Sequence, residues 1–173
     1  EIRDAETARI AIQASLTGHL VFSTLHTNSA AASITRLIDM GVENYLIAST
    51  VKAVLAQRLV RRLCPQCAQP LETRAQWRTR LAGEAFAKEP ERLHGPKGCA
   101  QCRNSGYSGR STIAEILVMN EAMQRLVCES APDAKLEAQA RAAGMTTMYQ
   151  CGMGKAWRGE TSVDEVMRVT RVD

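Results

Sequence analysis

The chain has 173 residues, 45% hydrophobic and 23% charged, which suits one globular domain, or a domain portion with a small satellite, and excludes wholesale disorder. No window approaches the ~18 uncharged apolar residues of a membrane-spanning helix, Glu1-Ile2-Arg3-Asp4 is no signal peptide, and 4% aromatics argue against base-stacking platforms. The net charge of +4 is uneven: Arg58 to Arg110 holds eleven Lys/Arg against four Asp/Glu, or +7, leaving −3 elsewhere, and suggests an acidic partner, a lipid headgroup surface or nucleic acid, or simply a solvated basic face.

Asp4 is placed to cap a helix whose Ala8, Ala11, Ile12, Ser15 and Leu16 form one stripe, with Gly18 as its left-handed stop. His19 to Leu25 is a short, mostly apolar run with β-branched and aromatic members, and predicts a strand buried on both faces, as in a parallel sheet. Asn28 is the expected cap of a second helix carrying Ile34, Leu37 and Ile38 and ending at Gly41. A longer helix is expected from Glu43 to Arg62, with Val51, Val54, Leu55, Arg58 and Leu59 on one face. One strand does not make a free-standing sheet, so the chain is expected to begin inside a larger domain.

From Leu63 to Arg110 the character changes to paired cysteines with Pro and Gly. Thr73-Arg74-Ala75-Gln76 reads as a capping box for a short helix with Trp77 and Leu81, ended by Gly83. A strand is expected over Ser111 to Val118, and helices thereafter: one capped by Asn120 with Met123, Leu126 and Val127, one closed by Gly144, and a last with Ser162-Val163-Asp164-Glu165 as its capping box. The expected organisation is therefore 1–62 α/β, 63–110 a cysteine-bearing subdomain, and 111–173 mainly helical.

Cys64-Pro65-Gln66-Cys67 and Cys99-Ala100-Gln101-Cys102 are two C-x-x-C pairs with 31 residues between them. Two thiolates three residues apart in a tight turn point at one tetrahedral centre, and a second turn completes a four-cysteine zinc site. A basic, proline-rich stretch of this size would hardly fold alone, and structural zinc supplies an apparent ~10–16 kcal/mol to such modules. A full thiolate shell leaves no open position, so the metal would be structural; the alternatives are disulfides or unrelated buried cysteines. His94 is a lesser ligand candidate, and Cys128 and Cys151 are expected to be small buried hydrophobes.

Gly152-Met153-Gly154-Lys155 resembles a phosphate-binding loop but fails the pattern, which requires Gly at 149 and Ser or Thr at 156, where Tyr149 and Ala156 stand. Ligands of open α/β sheets bind beyond the carboxyl ends of strands, which favours His26 over His19, with Thr24, Thr27, Asn28 and Arg36 nearby in sequence. A satisfied structural histidine is the alternative for both.

Glu1 to Thr7 looks like the end of a Walker B box, and Thr17 to Asn28 like a histidine box; Leu55-Ala56-Gln57-Arg58-Leu59 before Cys64, Gly106 to Arg110 after Cys102, and the ending Ser162 to Arg171 also match. In these motifs the chain resembles the type II secretion and type IV pilus assembly ATPases along essentially its whole length. The resemblance implies part of a RecA-like P-loop motor domain with a four-cysteine zinc insertion and a helical C-terminal subdomain. It implies a homohexamer at the cytoplasmic face of the bacterial inner membrane, peripheral to the membrane through platform and anchoring proteins, with no specific nucleic acid. In it Glu1 would help hold Mg²⁺ and its waters, His26 would contact the phosphates of ATP, and His19 and Arg36 match motif positions. Retraction motors generally lack the cysteine insertion, and the ending tilts toward secretion. No Walker A loop lies in this chain, so the expectation is that the fragment alone neither hydrolyses ATP nor binds it tightly. The rival reading is a zinc-structured interaction module docking inner-membrane secretion components; a zinc-ribbon nucleic-acid binder leaves the histidine box without a purpose.

Overall fold

In a computed structural model the described residues are 1–88 and 91–170. They form α1 (Ala5–Leu16), α2 (Ala30–Asp39), α3 (Asn44–Thr50), β1 (Ala53–Leu63), β2 (Gln69–Pro70), α4 (Arg74–Leu81), β3 (His94–Gly95), β4 (Tyr107–Val118), α5 (Glu121–Cys128), α6 (Asp133–Ala142), α7 (Met148–Trp157) and α8 (Val163–Thr170). Glu1–Ala56 and Glu115–Thr146 make one compact unit; Gln57–Ala114 and the chain from Thr147 make the other. These units cut across the three consecutive segments expected from sequence.

β1 pairs with β4. Bonds from Cys64 N to Gly106 O (2.9 Å) and from Met119 N to Lys52 O (3.0 Å) at opposite ends make the pair antiparallel. β2 and β3 form a small antiparallel pair, Gln69 against Gly95 and Pro70 against His94.

In the first unit, Asp4 Oδ1 accepts the Thr7 N–H at 2.8 Å, and α1 buries Ala8 and Ile12. Gly18 takes a φ of 96°, as the helix stop requires. α2 is capped by Ser29, not Asn28: the Ser29 hydroxyl accepts from Ala32 N at 3.1 Å. The Ala30 N–H is satisfied by the buried carboxylate of Glu115 at 2.8 Å, an acid at a helix N-terminus where the dipole favours it. Asn120 caps α5 as expected. α5 packs on α3 and α6, and α6 on α2.

Two expected elements are corrected. The helix from Glu43 to Arg62 is α3 followed by β1. Val51 turns out of helix with ψ 126°, and Val54, Ala56 and Val60 then alternate inward while Leu55, Gln57 and Leu59 point outward. The residues that read as a helical stripe obey a period of two, with β-branched valines to support it. The expected strand from His19 to Leu25 is not formed. His19 N reaches Ala14 O (3.1 Å) and Ile2 N reaches Thr24 O (2.9 Å), but no described strand runs alongside, so no ladder forms. Leu20 is 75% and Phe22 87% exposed instead of buried.

The second unit is built around Leu81, Leu93, Met153, Ala156, Trp157, Val163 and Val166, with Trp77 and Phe86 packed against them. The cysteine-bearing segment thus shares a core with α7 and α8, which is how its sparse apolar residues are buried. Gly152 lies in α7, where a Cβ would meet Val166 Cγ1 at 2.6 Å; the glycines of the false phosphate loop serve helix packing. α4 forms without the expected capping box, the Gln76 N–H going to the Thr73 carbonyl. α7 has a capping box, Thr147 with Gln150, that the sequence reading did not single out. α8 begins with Ser162 Oγ accepting from Glu165 N at 3.2 Å.

Candidate functional sites: a four-cysteine centre and a Glu1–His26 pair

Each C-x-x-C closes a tight turn. In the first, Cys67 N and Ala68 N donate to Cys64 O at 3.2 and 2.9 Å. In the second, Asn104 N donates to Cys99 O at 2.8 Å, and Arg103 and Asn104 take positive φ values of 52° and 62° to turn the chain back. Gly106 has a φ of 75° and a Cβ there would lie 2.3 Å from Pro96 Cβ, so only glycine allows this approach.

The turns bring Cys64, Cys67, Cys99 and Cys102 together with all four sulfurs within 4.8 Å of one another. Cys64–Cys99 is 4.0 Å, and Cys67–Cys102 and Cys99–Cys102 are 3.8 Å. These separations exclude disulfides, whose sulfurs lie ~2.05 Å apart. Thiolates bonded at ~2.3 Å to a tetrahedral ion sit about 3.8 Å from each other, so the cluster has the size of a metal shell. Cys102 Sγ also accepts from Cys99 N at 3.3 Å and Gly106 N at 3.2 Å. Burial by itself would raise the Cys102 thiol, but these N–H groups together with the Cys99 and Cys67 thiols outweigh it and hold it down to about 6. Burial pushes Cys67 up to about 11 against the N–H of Gly98. Sulfurs this close repel one another's charge, and a cation is what lets all four ionise. The four residues could therefore hold a metal ion.

His94 is not part of this cluster; its Nδ1 contacts the carbonyl of Arg92. Cys128 is exposed, a correction to its expected burial, because its place near the end of α5 falls off the Met123–Val127 stripe; Cys151 is half-buried.

In the other unit, Glu1 and His26 meet: Glu1 Oε1 lies 2.8 Å from His26 Nε2, and Glu1 Oε2 2.6 Å from an Arg3 guanidinium nitrogen. The Arg3 hydrogen bond holds the Glu1 carboxyl below its ordinary range, despite some desolvation. His26 remains 87% exposed. His19 turns instead toward Thr17 Oγ1 (3.1 Å) and Ala14 O (3.3 Å) at the end of α1, and Arg36 is exposed in the last turn of α2. The structure thus joins Glu1 with His26 and brings neither His19 nor Arg36 to them.

One cluster escaped the sequence reading. The fully buried carboxylate of Glu165 accepts from Arg61 N (3.0 Å), the Arg61 guanidinium (2.6 Å) and two Arg168 nitrogens (2.9 and 2.8 Å). Arg61 also stacks 4.1 Å from the centroid of Tyr107, whose hydroxyl lies 2.7 Å from Ser162 Oγ. From sequence Glu165 is expected as a capping acid and Arg61 on a helix; the signal that points to their meeting is the period-two alternation of β1.

The α/β fold that carries the four-cysteine cluster and the acid–histidine pair is shared with solved structures. The chain superposes on the pilus retraction motor PilT with bound ADP at TM-score 0.65 and 23% identity, covering 99% of this chain and 38% of that one. It superposes on the Legionella pneumophila ATPase DotB at TM-score 0.61 and 21% identity, covering 98% and 36%. The fold is accordingly the expected one, part of an ATPase domain. Residues 1–168 match the type II/IV secretion system protein family, and the chain belongs to that family. It is 48% identical over 171 residues to the type II secretion system ATPase E of Vibrio cholerae, covering 99% of this chain and 33% of the relative. It is 51% identical to the type II secretion system protein E of Xanthomonas campestris (98% and 30%), and 45% identical to the type IV pilus assembly ATPase TfpB of Acinetobacter baylyi (98% and 29%). The chain spans about a third of the length of these relatives.

Proposed function

We propose that the chain is part of a hexameric cytoplasmic ATPase that powers type II protein secretion through pseudopilus assembly, or type IV pilus extension. The observation that carries this is the convergence of Glu1 and His26, 25 positions apart, at 2.8 Å in a chain whose relatives are named ATPases. Glu1 acts as the Walker B acid that holds Mg²⁺ through its waters, a task that suits a carboxylate at the site's edge. His26 contacts the phosphates of ATP and is kept near the metal by its bond to Glu1. His19 and Arg36 are weaker site candidates, since neither lies against this pair. The phosphate cradle comes from elsewhere in the complete protein.

The cysteine cluster holds one structural Zn²⁺, which when bound neutralises the four crowded thiolates and fixes the two turns. Inner-membrane platform and anchoring proteins are the partners. No helix among the described residues is long and apolar enough to cross a membrane, in keeping with a peripheral motor held by them.

The test is steady-state hydrolysis by the full-length protein. Glu1→Gln is expected to lower kcat at least ~100-fold and His26→Ala about tenfold. Wild-type rates in both variants overturn the assignment of the pair, and no ATPase activity in the full-length hexamer overturns the motor. The chain of 173 residues alone is expected to bind ATP no tighter than millimolar by calorimetry.

A further inference from the structure

Residues 57–71 and 92–114, which carry the two cysteine turns and their approaches, contain seven Lys or Arg and no Asp or Glu. Of the seven, Arg58 donates to Val169 O, Arg61 donates to Glu165, and Arg92 lies seven residues before Cys99, outside the cysteine turns. Arg62, Lys97, Arg103 and Arg110 are all exposed and, among the described residues, form no ion pair. Like charges gathered without partners repel, so a surface that keeps them is poised for something acidic.

Their placement is fixed by the cluster itself. Arg62 lies two residues from Cys64, Lys97 two from Cys99, and Arg103 is bonded to Cys102, each step ~3.8 Å along the chain. Arg110 follows on β4, which starts just after Gly106, whose carbonyl receives the Cys64 N–H at 2.9 Å. Four sulfurs within 4.8 Å therefore anchor the turns and approaches along which these cations are strung. A zinc tetrathiolate would carry −2, which the four positive charges exceed, so the face stays cationic when the centre is filled.

We propose that this face docks a carboxylate-rich segment of a partner protein. Three of the four cations are arginines, whose planar fork matches carboxylates two bonds at a time, and the rigid turns pre-set their spacing. The exposed residues next to the cysteines are Pro65, Gln66, Pro96, Ala100 and Gln101; Leu59 on β1, 52% exposed, is the one exposed long aliphatic side chain of the two segments, too little to anchor in a bilayer. That the partner belongs to a secretion or pilus machine rests on the motor reading; the docking surface does not.

The experiment uses the zinc-loaded protein with a fluorescent glutamate octapeptide, and in parallel anionic phosphatidylglycerol vesicles and a DNA duplex. The peptide is expected to bind, to weaken steeply as salt rises through the physiological range, and to weaken at least ~10-fold in the triple variant R62Q/K97Q/R103Q. R9Q/R141Q, which neutralises two exposed arginines of the other unit, is expected to change binding less than twofold. Equal peptide affinity in the triple variant with zinc content intact overturns the proposal, as does vesicle or DNA binding without peptide binding. If the triple variant loses its zinc, the salt titration of the wild-type protein decides: salt-independent binding overturns the proposal. Peptide binding in a full-length protein without ATPase activity would remove the motor and leave the surface standing.

Discussion

The cysteine centre and the Glu1–His26 pair are built in opposite ways. At the first, every donor comes from a turn of four residues, two backbone N–H groups already point at Cys102 Sγ, and Cys64 and Cys102 are buried. At the second, the carboxylate and the imidazole are joined by one contact beside a segment whose Leu20 and Phe22 face outward and whose His26 is 87% exposed. A site made of short turns closes on itself; a site beside a segment that pairs with no described strand does not.

The largest effect is expected from Cys102→Ser. It removes a metal ligand and the sulfur that accepts two backbone N–H groups, and zinc ligation of this kind carries an apparent ~10–16 kcal/mol. Metal analysis should fall from about one zinc per chain to near zero. Hydrogen exchange should show residues 57–114 losing protection while α5 and α6 keep theirs. Uniform loss across both units would mean that the cysteine centre holds up the whole chain, and the contrast would fail.

That asymmetry also explains what was legible in the sequence. The clustering of the four cysteines could be read because C-x-x-C is a local signal whose geometry follows from a single turn. The caps at Asp4 and Asn120 could be read for the same reason. β1 could not: Val54, Leu55, Arg58 and Leu59 satisfy a helical stripe as well as a strand, and only β4, more than forty residues away, decides between them. The Glu165 cluster was hidden by the same error, since Arg61 reaches Glu165 only from a strand. His19 to Leu25 has the composition of a buried strand, and composition does not reveal whether a neighbour is at hand.

An intermediate effect is expected at Glu165. Glu165→Gln removes a buried charge that accepts from Arg61 and Arg168, and should cost about 3 kcal/mol in the second unit, read by denaturant unfolding. The pH dependence gives a second readout. Burial alone would raise the Glu165 carboxyl, but the bonds from Arg168 and Arg61 hold it well below its ordinary 4.5. A carboxyl depressed in the folded state contributes stability above its unfolded value, and that contribution is lost as pH falls below it. Wild type should therefore lose more stability between about pH 5 and 3 than Glu165→Gln does. Parallel pH curves for the two proteins would show that the carboxylate is not held as the structure has it.

The smallest effect is expected at Phe22, and it speaks most directly to the open site. Phe22 is 87% exposed, so Phe22→Ser in this chain should shift stability by no more than about 0.5 kcal/mol. The sequence nevertheless gives this position the neighbours of a buried strand, Val21 and Leu25 with Thr24 between them. If the segment from His19 to Leu25 gains flanking strands in the full-length protein, the same substitution there should cost ~3–5 kcal/mol and weaken the proposed ATP hydrolysis through its hold on His26, four residues on. Equal and negligible effects in both contexts would mean that the segment stays open, and His26 would then have no rigid base from which to contact a phosphate. A large loss in the short chain alone would mean that Phe22 is already covered, and the two sites would be alike after all.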